Sequence, residues 1–199
     1  MAEMQRRDFL KKAGTGAIAV ASLPAWVGAL SRVASADGNE KGWHFVVVSH
    51  AGTKDLVALV GAGEVESDEV EGGGSFVHWD ASAAGLPKPI LASGTWKAKR
   101  LISFERVADP THKGGALAAG ELKMRVRLFR EIPSPAEIRA TLKVVCNLGF
   151  AGLSVPGEEE GVTLAIPDTP FARGATPGPF EPFVPALGLT SITRKVVDD

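Results

Sequence analysis

Along most of the chain, apolar and polar residues alternate instead of recurring at every third or fourth position. The clearest stretch is 120–130, where Leu122, Met124, Val126 and Leu128 are separated by Lys123, Arg125 and Arg127. A period of two turns one set of side chains to a core and the other to water, as in a half-exposed antiparallel strand. In 139–148, Leu142, Val144, Cys146 and Leu148 share a face in the same way. In 94–106, Trp96, Ala98, Ile102 and Phe104 do likewise, with Arg100 interrupting the series. Further apolar or alternating runs lie at 43–49, 56–66, 74–80, 160–166 and 187–197, divided by glycine, proline and charged residues. Beyond residue 36 no stretch holds a helical period; Pro135 to Ala140 suffices for one turn. About eight short strands with Gly/Pro turns predict an all-β domain, a single antiparallel barrel or sandwich.

Residues 167–186 break the pattern. They are dense in proline and contain three Pro-Phe steps, ending in Phe171, Phe180 and Phe183. Proline cannot donate to a strand ladder, so an irregular loop is expected. Loops of this length in a compact domain are uncommon and often functional. The three rings make this segment a candidate lid or contact site at one end of the sheet; the alternative is that they cover a core edge.

The beginning of the chain follows another rule. Arg6, Arg7, Lys11 and Lys12 precede a run from Ala13 to Leu30 without a charged residue, and Arg32, Ala34, Ser35 and Ala36 follow. A basic region, an apolar region and small residues at 34 and 36 are the parts of a secretory signal helix, with cleavage expected after Ala36. Residues 5–11 resemble the twin-arginine (Tat) signal family, whose pattern is Ser/Thr-Arg-Arg-x-Phe-Leu-Lys. Arg6, Arg7, Phe9, Leu10 and Lys11 match it, and Gln5 departs from it. The resemblance implies the Tat export machinery and a signal peptidase as partners, folding before transport, and a periplasmic or extracellular location. The signal then occupies 1–36, a flexible leader 37–42, and the β-domain 43–199. The apolar run is also at the lower limit for a membrane-spanning helix. Pro24, Gly14, Gly16 and Gly28 weaken such a helix, and no cysteine closes the run for lipid attachment. No stable membrane anchor is therefore expected after cleavage.

Composition narrows the classes. The first 36 residues hold five of the 22 Lys and Arg and two of the 23 Asp and Glu, leaving 17 and 21, a net charge of −4 for the remainder. That balance argues against a nucleic-acid partner and against a polybasic surface for anionic lipid. The single cysteine, Cys146, excludes an intramolecular disulfide.

Candidate chemistry is sparse. Of His44, His50, His78 and His112, the last three could converge near loops with Asp80 as a metal site suited to zinc or copper. No pair has a short ligand spacing, however, which favours structural or surface histidines. No histidine follows Cys146, so a blue-copper loop is excluded and a buried thiol is expected. Glu64, Glu66, Asp68, Glu69 and Glu71 lack the order of a calcium loop and read as a solvated hairpin end. Gly61-Ala62-Gly63 is no dinucleotide fingerprint, and Ser49 and His50 point to opposite strand faces. No motif implies a cofactor. The expectation is an exported β-domain that binds an unidentified ligand or partner; the alternative is a small barrel enzyme or metalloprotein with a histidine-containing site.

Overall fold

The computed structural model describes residues 42–107, 117–148, 153–167 and 179–193. Residues 1–41 lie outside it, and with them the expected signal segment with Arg6, Arg7, Phe9, Leu10, Lys11, Ala34 and Ala36. His112 and Phe171 also lie outside the described residues.

The described chain is all-β. Its strands are β1 (Gly42–Ala51), β2 (Asp55–Glu66), β3 (Glu69–Asp80), β4 (Ile90–Val107), β5 (Leu117–Ile132), β6 (Ala136–Cys146), β7 (Gly161–Ala165) and β8 (Glu181–Thr193). Each overlaps one run of alternating residues. Pro135 to Ala140, expected to allow a helical turn, instead leads into β6. Pairing with β5 decides this: Ile138 and Ala140 stand opposite Leu128 and Val126 and bury their side chains with them.

All pairings are antiparallel, and they close a ring. β4, β3, β2, β1, β8 and β5 follow one another, and β5 returns to β4. The β5–β8 seam consists only of Leu117↔Thr193 and Ala118↔Ile192. Beyond it β6 adds to β5 and β7 to β6, and Leu164 of β7 exchanges two backbone hydrogen bonds of 2.9 Å with Phe180, just ahead of β8. Closure of this kind leaves little unpaired strand edge.

Two irregularities adjust the pattern. In β4, register shifts lie between Ala98 and Arg100 and between Leu101 and Ser103. Each extra residue moves the following side chains to the other face. Trp96, Ala98, Leu101 and Phe104 consequently face the core, and Ile102, expected there, is 41% exposed. In β8, Leu187 pairs with Val48 and Pro182 with Ser49, so residues 183–186 fall between adjacent rungs. The expected irregular loop thus ends earlier than 186. Proline is accommodated because the ladder skips this stretch and needs no N–H from it.

The ring is filled with side chains. Trp43 and Phe45 of β1 stack on Trp96 of β4, with centroids 5.8–5.9 Å apart and planes within 23°. β2 and β3 lie between those strands and supply glycines where the rings come down. A Cβ at Gly61 would overlap Trp96 and Phe45, and one at Gly63 would sit 2.5 Å from Trp43. Leu59, Phe76, Leu122, Met124, Leu128, Leu142 and Leu164 complete the core, all fully buried.

Candidate functional site at one end of the ring

The turns after β1, β3 and β5, together with the entry to β8, gather at one end of the ring. The β1–β2 turn is tight: Ala51 pairs with Asp55, and Gly52 adopts φ +57°. That register turns Ser49, Val57 and Asp55 inward, because they continue the face of Trp43, Phe45 and Val47. The β2–β3 hairpin places His78 opposite Val57 and Asp80 opposite Asp55. Asp55 and His78 are diagonal neighbours on the inner face, and His78 Nε2 donates to Asp55 Oδ1 at 2.7 Å. Both side chains are buried, His78 completely.

The surroundings define what this pair can do. The edge of Phe180 meets the His78 ring, with centroids 5.2 Å apart and planes at 81°. Burial holds the His78 pKa below its ordinary value, against the opposing pull of Asp55 and Asp80. A neutral ring with its proton on Nε2, held by a carboxylate, has the orientation of a general base fixed by its partner. Asp80 accepts from the Ser82 hydroxyl at 2.6 Å and the Ser82 amide at 2.9 Å, and these bonds hold its carboxyl below the usual range. Ser49 is no nucleophile for His78. β2 runs between them, roughly 5 Å from each neighbouring strand, and the Ser49 hydroxyl donates to Val162 O at 2.6 Å.

The other expected site residues are dispersed. His50 faces outward, opposite in parity to Ser49; its Nδ1 donates to Gly52 O at 3.1 Å and its ring lies 4.5 Å from that of Phe183. His50 and His78 therefore stand on opposite faces of the sheet and do not converge. Among the described residues, no three His, Cys, Asp or Glu side chains are grouped to hold a metal. Phe180 is buried in the core, and Phe183 is half-buried on the outside. The acidic residues Glu64, Glu66, Asp68, Glu69 and Glu71 line the exposed β2–β3 hairpin end.

Cys146 is a buried thiol, its Sγ 3.6 Å from Thr190 O, and burial raises its pKa. Close by, Thr190 Oγ1 donates to Val145 O at 2.9 Å and lies 3.1 Å from Glu160 Oε1. One hydroxyl proton serves one acceptor well. Burial raises the pKa of the Glu160 carboxyl, against the opposing pull of its hydrogen bonds with Thr190.

Asp55 is the site residue that sequence reasoning missed. Its signal was present in the hairpin: a turn centred between Ser67 and Asp68 brings residue 78 opposite residue 57, one diagonal step from 55. Comparison with family models, curated proteins and solved structures yields no match.

Proposed function

We propose that the chain is an exported interaction protein that works by surface contact. The export half of this reading rests on Arg6, Arg7, Phe9, Leu10 and Lys11 and on Ala34 and Ala36. The contact half is carried by one observation, the filled interior. Trp43, Phe45 and Trp96 stack where a hollow barrel of this kind holds its ligand. Recognition is thereby moved to the outside of the ring and to its loops.

Two measurements test the reading. The unaltered chain should be processed after Ala36 and recovered outside the cytoplasm, and the Arg6→Lys/Arg7→Lys variant should remain as a precursor inside. Normal secretion of that variant would refute the route. Native mass spectrometry with elemental analysis of the exported protein should give the mass of the polypeptide alone. A stoichiometric metal or small molecule would overturn the contact reading.

The Asp55–His78 pair favours a second reading, a small barrel enzyme with His78 as base. Its geometry suits proton transfer, but the imidazole is fully buried, with the Phe180 ring packed against it. Activity on that reading requires Phe180 to move.

A further inference from the structure

We propose that the outer face of β4, β5 and β6 binds a linear polyanion, an acidic polysaccharide bearing carboxylate or sulfate groups. This rests on the surface-contact reading and names the chemistry of the partner.

The face follows from register. Trp96, Leu128 and Ile138 point inward, as do Ala98, Val126 and Ala140. The intervening residues point outward, and they are cations. Lys97, Arg127 and Arg139 stand side by side across the three strands. Arg100 pairs with Arg125, and Lys123 with Lys143. Like charges directly opposite each other destabilise a sheet. Two of these cations are neutralised locally, Arg127 by Glu137 and Lys143 by Glu158. Lys97, Arg100, Lys123, Arg125 and Arg139 have no carboxylate partner among the described residues.

The whole-chain charge conceals this face, because acidic residues are concentrated elsewhere, notably at the β2–β3 hairpin end. Net charge argued against a polybasic surface for anionic lipid; strand register nevertheless gathers these cations on one face. Along β5, Lys123, Arg125 and Arg127 recur at every second residue, about 6.7 Å apart, with neighbouring files about 4.8 Å away. An extended polymer with regularly spaced anions meets a cation at each step. The composition of the face selects among polyanions. Phe129 continues the file of Lys123, Arg125 and Arg127 at one end, opposite Thr95 and Glu137, and it is a single ring where single-strand binders line up several to stack successive bases. Ile102 is the one large apolar side chain exposed beside them among the described residues, which gives little to insert between acyl chains.

Heparin is the probe. The purified full-length chain should be retained on immobilised heparin at physiological salt, and its affinity should fall linearly on a log–log plot against salt. Replacing Arg100, Arg125 and Arg139 together by Ala should weaken titrated heparin binding by about tenfold or more, since each cation contributes released counterions. The same variant should melt no lower than the parent, because like-charge neighbours have been removed. If it does melt lower, Arg125→Ala with Arg125→Lys as the charge-restoring partner reads the same loss and its recovery. Lys54→Ala with Lys88→Ala, at the loop end of the ring, should leave binding unchanged. Absence of retention by the parent, or a triple variant that binds equally well, overturns the proposal. So does preference for phosphatidylglycerol vesicles or single-stranded DNA over heparin. A bound small molecule in native mass spectra, by contrast, strikes at the contact reading and leaves the heparin result to be judged on its own.

Discussion

The imidazole of His78 is pulled in two directions, and burial prevails over the two carboxylates that favour its charged form. Its pKa in the fold lies below the ordinary 6.5, so the unfolded chain takes up this proton first as the pH drops. The stabilising contribution is complete above about pH 6.5 and declines as the pH falls toward the folded pKa. Half-buried His44 acts in the same sense. Glu160 acts in the opposite sense: its carboxyl is raised above 4.5, so its contribution grows as the pH falls through that raised value. The His78→Gln variant separates these effects. It should melt lower than the parent at neutral pH, with a shallower decline toward pH 5; parallel declines would show that His78 does not titrate on unfolding. The two core tryptophans give a second contrast. Trp96 Nε1 donates to Val60 O at 3.1 Å, and Trp43 Nε1 meets no acceptor among the described residues. Trp96→Phe should therefore be costlier than Trp43→Phe by about 1 kcal/mol in denaturant unfolding, the net worth of a hydrogen bond.

Among the strands, alternation marked where each lies, because a half-buried sheet forces a period of two on its sequence. It failed where the period itself is broken. The β4 bulges carry no residue type that announces them, so Ile102 was assigned to the wrong face. The opening of β8 was hidden by Pro182 and Pro185, residues that ordinarily exclude a strand and are tolerated here beside a skipped rung. The inward direction of Asp55 was beyond local pattern, since it follows from a hairpin register and not from its neighbours. The same stretch of β8 supplies a test of the Pro-Phe steps. Phe180 is enclosed by core and touches His78; Phe183 lies outside against His50. Phe180→Ala should destabilise by about 3–5 kcal/mol, as for other buried rings. Phe183→Ala should cost about 1 kcal/mol, in the range of a single aromatic contact. A small loss from Phe180→Ala, measured by thermal melting, would return that ring to the role of a lid.

At the scale of the whole molecule, one side of the ring is basic and its inside is packed with aromatic rings, neither of which can be read from net charge or residue count. Both arise from pairings between distant parts of the chain, and the most distant is the seam joining β1 to β8, where Trp43 stands opposite Ile192. That seam has a consequence for synthesis. Until a ribosome has added β8, β1 has only β2 for a neighbour, and its other edge stays open. The ring cannot shut until residue 193 has emerged, and a chain that stops short leaves an unpaired strand exposed. Contacts between segments so far apart in sequence also form slowly, since a long loop must close before they reward it. Any cellular step that accepts only the closed ring thus doubles as a check that β8 has been made.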